Sequence, residues 1–242
     1  VTPRRAQKAE ILVETVQRLF PERTTLEMVD FGCADGAVPV MLLRSSLGPS
    51  IARIVGITLL DYNDLAEKRT HLHPRFCRVV ADLEKDMRQV ELPWGKCDVV
   101  LATGFFHYLA HPELALAHAK RLLRPGGYLL AGMPARWVLA LRRHGVPGVL
   151  PQNERIRQVE SLDCWKSRVE SAGFHEADRQ AVQWFGWGIT ARLERWVRHH
   201  RLLAGSGSNY LVVYRADTRA GAVDLRERPS ASCTRPGVRN PA

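Results

Sequence analysis

The chain has 242 residues, 45% of them hydrophobic and 25% charged, and a formal net charge of +10 carried mostly by arginine. That length suits one α/β domain with a C-terminal extension and excludes two full domains, while the apolar content is enough to bury a real core. The charge alone selects no partner, because an anionic substrate, nucleic acid or an Arg-rich coding bias would each produce it, and no basic run or aromatic-interleaved basic motif accompanies it.

In chain order, residues 6–20 place Ala6, Ile11, Leu12, Val16, Leu19 and Phe20 near helical spacing, and Pro21 ends the element. This helix is expected to pack on a sheet, with a lid over a pocket as its alternative duty. No apolar segment follows Arg4-Arg5 in the manner of a signal peptide. Leu26 to Phe31 form the apolar run of a buried strand. Gly32-Cys33-Ala34-Asp35-Gly36 then turns the chain, and Val38 to Leu43 open a helix that ends near Gly48-Pro49. Such a unit is expected to set free backbone N–H groups at a helix N-terminus, where a cofactor can approach the main chain.

Ala52 to Ile57 reads as strand two, Leu60 to Thr70 as a short helix, and Phe76 to Ala81 as strand three, ending in Asp82. Pro93-Trp94-Gly95-Lys96 is a turn, and Asp98 to Ala102 is strand four. Pro112 to Leu123 is a helix with Leu114, Ala115, Ala119, Leu122 and Leu123 on its apolar side. Pro125-Gly126-Gly127 is a turn, and Tyr128 to Met133 is strand five, stopped by Pro134. The longest apolar stretch, from Tyr128 to Leu141, is interrupted by Pro134 and Arg136 and is too short to span a bilayer.

Repeated alternation of strand and helix predicts a parallel sheet with helices on both faces. A ligand then belongs beyond the carboxyl ends of the strands, at the 32–36 turn, from Thr58 onward, at Asp82, and between Thr103 and His107. Past Pro134 the pattern changes. Ala135 to Asn153 mixes arginines, glycines and two prolines and reads as a variable insert. Leu162 to Ala172 reads as a helix with Ser161 as N-cap and Gly173 at its end. Ala181 to Phe185 is a strand, Ile189 to Leu203 a helix with Arg192, Arg195 and Arg198 repeating along it, and Tyr210 to Tyr214 a last strand. From Asp217 onward the chain is rich in Arg, Pro, Ser and Gly, and disorder is expected. The five cysteines, Cys33, Cys77, Cys97, Cys164 and Cys233, form no C-x-x-C pair and no zinc spacing, which suits reduced thiols in a cytosolic protein.

Five stretches together resemble the class I S-adenosylmethionine-dependent methyltransferases. They are Val29-Asp30-Phe31-Gly32-Cys33-Ala34-Asp35-Gly36; Val55-Gly56-Ile57-Thr58; Ala81-Asp82-Leu83; Cys97-Asp98-Val99-Val100 leading to Phe106-His107-Tyr108-Leu109; and Leu122-Leu123-Arg124-Pro125-Gly126-Gly127. The resemblance is densest from Leu26 to Pro134 and thinner to Tyr214. It implies a Rossmann-like, doubly wound, seven-stranded, mostly parallel sheet within one domain over residues 1–216, followed by a tail over 217–242. It also implies S-adenosyl-L-methionine as cofactor.

Carried over residue by residue, the resemblance puts Asp30, Gly32, Cys33, Ala34 and Gly36 around the methionine part of the cofactor, with Thr103 across from them. Alanine stands at 34 where the pattern usually has glycine. The family places a carboxylate after strand two to accept from both ribose hydroxyls. Here Thr58 occupies that register, with Asp61 three residues on, so either Asp61 or Thr58 is left to serve the ribose. Asp82 is implied to accept from the adenine amino group, with Leu83 beside the ring; the alternative for Asp82 is a turn residue.

His107, just past strand four, is the candidate general base, with a structural histidine as the alternative. Methyl transfer from a sulfonium needs no covalent intermediate, and alignment supplies much of its acceleration. No metal ligand set is visible, and none is expected. The acceptor is expected to be a small molecule, a sugar, glycan or natural product methylated on O or N. The rivals are an RNA or protein methyltransferase and a non-catalytic scaffold. Against the first rival, Thr103-Gly104-Phe105-Phe106 stands where amino-methylating nucleic-acid enzymes tend to carry Asn/Asp-Pro-Pro-aromatic.

Overall fold

Strands buried on both faces must send alternate side chains into two separate cores, each covered by helices. The computed structural model has this arrangement; it describes residues 3–23, 25–59, 73–85, 95–145, 152–183 and 209–217. The elements are α1 (Pro3–Leu19), β1 (Leu26–Phe31), α2 (Ala37–Leu43), β2 (Ile51–Thr58), β3 (Phe76–Val80), β4 (Cys97–Thr103), α3 (Pro112–Leu122), β5 (Leu123–Pro134), α4 (Arg136–His144), α5 (Leu162–Ser171), β6 (Phe174–Gln183) and β7 (Asn209–Ala216). Single 3-10 turns lie at Gly48–Ser50 and Phe106–Tyr108.

The seven strands form one sheet in the order β3-β2-β1-β4-β5-β7-β6. Strands β1 to β5 pair in parallel, and β7 runs antiparallel to both β5 and β6. In β4, Val99 and Leu101 join one core while Val100 and Ala102 join the other; Leu130 and Leu129 divide in the same way in β5. Helices α1 and α2 cover the first face through Ile11, Leu12, Val16, Val40, Leu42 and Leu43. Helices α3 and α5 cover the second through Ala115, Leu116, Ala119, Trp165 and Val169. None of the helices among the described residues is long and apolar enough to cross a membrane.

Helix α1 reaches as far as the edge strand. Gln180 Nε2 on β6 donates to the buried Thr15 Oγ1 at 2.7 Å, and Arg18 pairs with Asp178. Helix α5 has the expected cap, with the Ser161 hydroxyl accepting from Cys164 N at 3.2 Å. The segment that leads into α3 is held from a distance. The Glu84 carboxylate accepts from the N–H groups of Ala110 and His111, both at 2.7 Å.

Several boundaries differ from the sequence reading. Helix α3 stops at Leu122, and Leu123 already pairs with Cys97 at the start of β5. The pairing then jumps from Cys97↔Leu123 to Val99↔Tyr128, so Pro125-Gly126-Gly127 bulges out of a strand instead of separating a helix from one. Residues 135–153 are not wholly an irregular insert. Arg136–His144 is helical with one apolar edge, and its arginine spacing hides that periodicity. Strand β6 begins directly after Gly173, at Phe174, and ends at Gln183, because its polar outer face lacks the apolar run that marks a central strand. The expected helices at 60–70 and 189–203, the last two residues of the expected strand at 181–185, and the tail after Asp217 lie outside the described residues.

At the opposite edge of the sheet from the strand carboxyl ends, Asp98 joins three elements. Its carboxylate accepts from Arg124 Nη1 at 2.8 and 2.9 Å and from Glu27 N at 2.9 Å, and it lies 2.7 Å from Arg23 Nη1. Arg124 Nη2 also donates to Glu27 Oε2 at 2.9 Å. The Asp98 side chain is only 1% exposed, so its removal leaves several donors with their partner gone. Asp98→Ala is expected to lower the unfolding free energy by about 3 kcal/mol in a urea titration. A loss within about 0.5 kcal/mol would show that the cluster is a solvated surface contact.

Candidate active site

Strand order reverses between β1 and β4, so the loops that leave their carboxyl ends diverge and open a crevice. A cavity of about 320 Å³ occupies that place. Its floor is the 32–35 turn with Thr103 and Gly104, and Gly132 and Pro134 from the end of β5 continue it. Asn209 to Leu211 reach it because β7 is antiparallel, with Asn209 paired to Pro134. Helix α1 roofs it with Arg5, Lys8, Ile11 and Leu12, and Arg142 of α4 closes one side.

The turn after β1 is tightly self-bonded. Gly32 N and Cys33 N both donate to Ile57 O, at 2.8 and 3.2 Å, Gly36 N donates to Cys33 O at 2.9 Å, and Ala37 N donates to Asp35 Oδ1 at 3.2 Å. Four of the amides expected to be free, those of Gly32, Cys33, Gly36 and Ala37, are thus engaged by the end of β2 and by the turn itself. Gly32 has φ +72, and a Cβ there would fall 2.5 Å from the Phe105 ring. Both the left-handed backbone and that ring call for glycine here. Phe105 belongs to an aromatic row, with Phe31 at 6.3 Å, Phe106 at 5.7 Å, and Trp165 beyond Phe106 at 4.6 Å. Ala34 has φ +48, a conformation that costs an L-residue roughly 1 kcal/mol.

The predicted residues divide into two sets. Asp30, Gly32, Cys33, Ala34, Thr103 and His107 line the cavity together. Gly36, Thr58, Asp82 and Leu83 do not. Gly36 opens α2 with φ +72. Thr58 is buried at the end of β2, and its carbonyl accepts from Ala81 N at 2.9 Å. The Asp82 carboxylate accepts from Glu84 N at 3.0 Å and faces Lys85 Nζ at 3.6 Å, so it makes the turn that was its alternative reading. The Leu83 side chain packs in the core beside Val79 and Ala81. Asp61 lies outside the described residues. Phe31, Thr58 and Val80 end neighbouring strands, so the turn after β1 and Asp82 are two strand spacings apart, about 10 Å.

The cavity holds ionisable groups taken out of water. Burial pushes the Asp30 carboxyl up to about 7, against the pull of Lys8. Burial lowers the Lys8 ammonium, and Asp30 partly restores it. Lys8 Nζ donates to Thr103 O at 2.7 Å and ties the roof helix to the end of β4. Arg5 pairs with Asp35 at 2.7 Å and ties the same helix to the turn. Burial also raises the Cys33 thiol, which is neutral and serves as packing.

His107 is 2% exposed, and neither ring nitrogen has a hydrogen-bond partner. Burial, reinforced by the charges of Arg142 and Lys8, holds its imidazole at about 4. Its ring sits 4.1 Å from that of Tyr108, and its carbonyl accepts from Arg157 N at 2.9 Å and Gln158 N at 3.1 Å. The loop therefore fixes the backbone of His107 and leaves the imidazole for the cavity. Sequence reasoning placed this histidine but missed Arg5, Lys8 and Arg142. Lys8 fell in what read as a packing helix, Arg5 just before it, and Arg142 in what read as a variable insert, and only the crossing of both helices over the crevice gives them a role.

Residues 4–176 match the family described as a methyltransferase domain. The chain is 26% identical over 166 residues to squalestatin tetraketide synthase of Phoma sp. (strain C2932), covering 64% of this chain and 6% of that protein. It is 26% identical over 185 residues to malonyl-[acyl-carrier protein] O-methyltransferase of Paenibacillus sp. (strain JDR-2), covering 70% of this chain and 63% of that protein. It thus spans less than two thirds of either relative. In fold it is similar to 1,6-didemethyltoxoflavin-N1-methyltransferase of Burkholderia thailandensis, a structure with 1,6-didemethyltoxoflavin and S-adenosylhomocysteine bound. That likeness has a TM-score of 0.55 at 18% identity and covers 86% of this chain and 78% of the other. The chain belongs to the methyltransferase domain family and is a class I methyltransferase dependent on S-adenosylmethionine.

Proposed function

We propose that this chain transfers the methyl group to an oxygen or nitrogen of a small organic molecule, with His107 receiving the acceptor's hydrogen bond. The observation that carries the reading is the buried imidazole of His107, both nitrogens unpartnered, on the wall of a cavity of about 320 Å³. A buried polar side chain without a partner costs free energy that only a ligand or water can return. The enclosed volume suits a small acceptor better than a folded polymer surface.

The residues present fit the cofactor. S-adenosylmethionine supplies an activated methyl group on a sulfonium. In this reading Asp30, on the cavity wall, would meet its ammonium and Lys8 in the roof its carboxylate. Gly32, Cys33 and Ala34 form the floor below it, and Thr103 faces them across the crevice. Thr58, at the end of β2, and Asp82, just past β3, lie along the direction in which its nucleoside would extend in this reading, with Gly36 and Leu83 as neighbours of the turn and the adenine. Relatives named for tetraketide synthesis and for O-methylation of a malonyl group favour an acyl-derived natural product as acceptor.

With its imidazole held at about 4, His107 is neutral throughout the physiological range and weakly basic. It accepts the hydrogen bond from the acceptor O–H or N–H and aims the lone pair at the methyl group. It then takes the proton once methylation has made that atom strongly acidic. Orientation carries most of the rate.

His107→Leu is expected to lower kcat by about 10²-fold with affinity for S-adenosylhomocysteine nearly unchanged. Wild-type turnover in that variant would reduce His107 to a packing role. The wild-type rate should show no acid limb from this histidine between pH 5.5 and about 7, because its folded value of about 4 leaves it unprotonated there.

Asp30 gives the opposite sign. Its folded value is raised to about 7, so below that pH a proton must be displaced before an ammonium can pair with it. Calorimetry with S-adenosylhomocysteine should therefore show weakening affinity as pH falls from 8 to 6 (assay conditions, about two units). Asp30→Asn should bind more weakly at pH 8 and lose that dependence. Equal affinity in the two proteins at both values would remove Asp30 from the site.

A further inference from the structure

The cavity holds three cations, and their situations differ. Arg5 is matched by Asp35 at 2.7 Å. Lys8 is matched by the Thr103 carbonyl at 2.7 Å and by the charge of Asp30. Arg142, on the last turn of α4, lines the same cavity, and no carboxylate among the described residues pairs with it. It is half-buried, so its guanidinium is partly desolvated without an anion to compensate.

Its place relative to His107 is fixed by the backbone. Asn153 N donates to Arg142 O at 2.8 Å, and a few residues later Arg157 N and Gln158 N donate to His107 O. One segment, 153–158, therefore holds the end of α4 and the His107 turn in a single frame. The positive charge of Arg142 is felt at the imidazole, which it helps to keep unprotonated. The cavity thus presents, side by side, a neutral hydrogen-bond acceptor and a fork of donors with a permanent positive charge.

We infer that Arg142 is an anion-binding residue for the methyl acceptor, so that the acceptor carries a carboxylate or phosphate group next to the O–H or N–H that meets His107. The inference rests on the proposed function, because it assigns the second half of the same acceptor pocket. A planar guanidinium reads either oxyanion through paired N–H···O bonds, and partial burial strengthens them. A neutral acceptor would leave the guanidinium uncompensated and would forgo that gain. The requirement also makes chemical sense of a histidine that is uncharged when the acceptor binds. An imidazolium next to Arg142 would repel it and compete for the acceptor's anion, whereas a neutral ring leaves the anion to Arg142 and the hydrogen bond to itself.

The test uses the full chain saturated with S-adenosylhomocysteine and three probes of similar shape: benzoate, phenyl phosphate and benzamide. Binding is followed by ligand-observed NMR titration up to about 10 mM. At least one of the two anions is expected to bind about tenfold more tightly than benzamide, a ratio that charge-assisted hydrogen bonds supply. Which anion is preferred separates a carboxylate acceptor from a phosphate acceptor. Arg142→Gln should abolish the preference, and Arg142→Lys should retain part of it, while affinity for S-adenosylhomocysteine stays unchanged in both.

Equal binding of benzamide and both anions, absence of anion binding at the highest concentration, or a preference that survives in Arg142→Gln would each overturn the inference. Failure of the protein to bind S-adenosylhomocysteine would instead count against the cofactor site itself. The two failures are read from the same samples.

Discussion

Burial of the central strands on both faces is the constraint from which the rest follows. Val99, Val100, Leu101 and Ala102 are all fully buried, and so is β1 over Met28, Val29 and Phe31. A sheet sealed in this way can expose polar chemistry only at the strand ends. One end is closed by the Asp98–Arg124–Glu27 cluster. The other is left for Asp30, Thr103 and His107. The division of labour between a structural edge and a functional edge is thus a packing result, and the switch in strand direction only decides where along the functional edge the crevice falls.

Desolvation then sets the chemistry inside the crevice. It moves Asp30 and His107 in opposite directions, toward the uncharged form in each case. Both groups are kept from committing to a charge until a ligand arrives. Arg5 and Lys8 hold the roof helix to the turn and to the end of β4, respectively. Arg142 is the cation whose charge the described scaffold does not use.

Much of the fold was legible because buried parallel strands write continuous apolar runs, and Leu26 to Phe31 or Asp98 to Ala102 are of that kind. Elements with one solvated side were harder. Strand β6 alternates polar residues at a sheet edge, and α4 hides its apolar edge among arginines. The floor of the site was legible through Asp30, the glycine turn and Thr103, since these follow strands in order. Its roof and side wall were not, because Lys8 and Arg142 lie far along the chain from the residues they meet, and nothing local to them marks the encounter. Gly32 was legible as a turn residue, which its φ of +72 bears out, but the Phe105 ring that also crowds it lies in the loop after β4 and left no local mark.

Helix α1 has a consequence for the order in which the molecule comes together. Besides Asp35 nearby, its polar anchors include Thr103 O, Asp178 and Gln180, the last of them 165 residues from its partner Thr15. Contacts of that separation close late, because the chain between them must already be arranged. The helix can seat its apolar side on α2 and the central strands first, while its polar contacts with β6 must wait for that strand. The roof of the crevice is therefore held twice, by near contacts made early and by the far edge of the sheet made last.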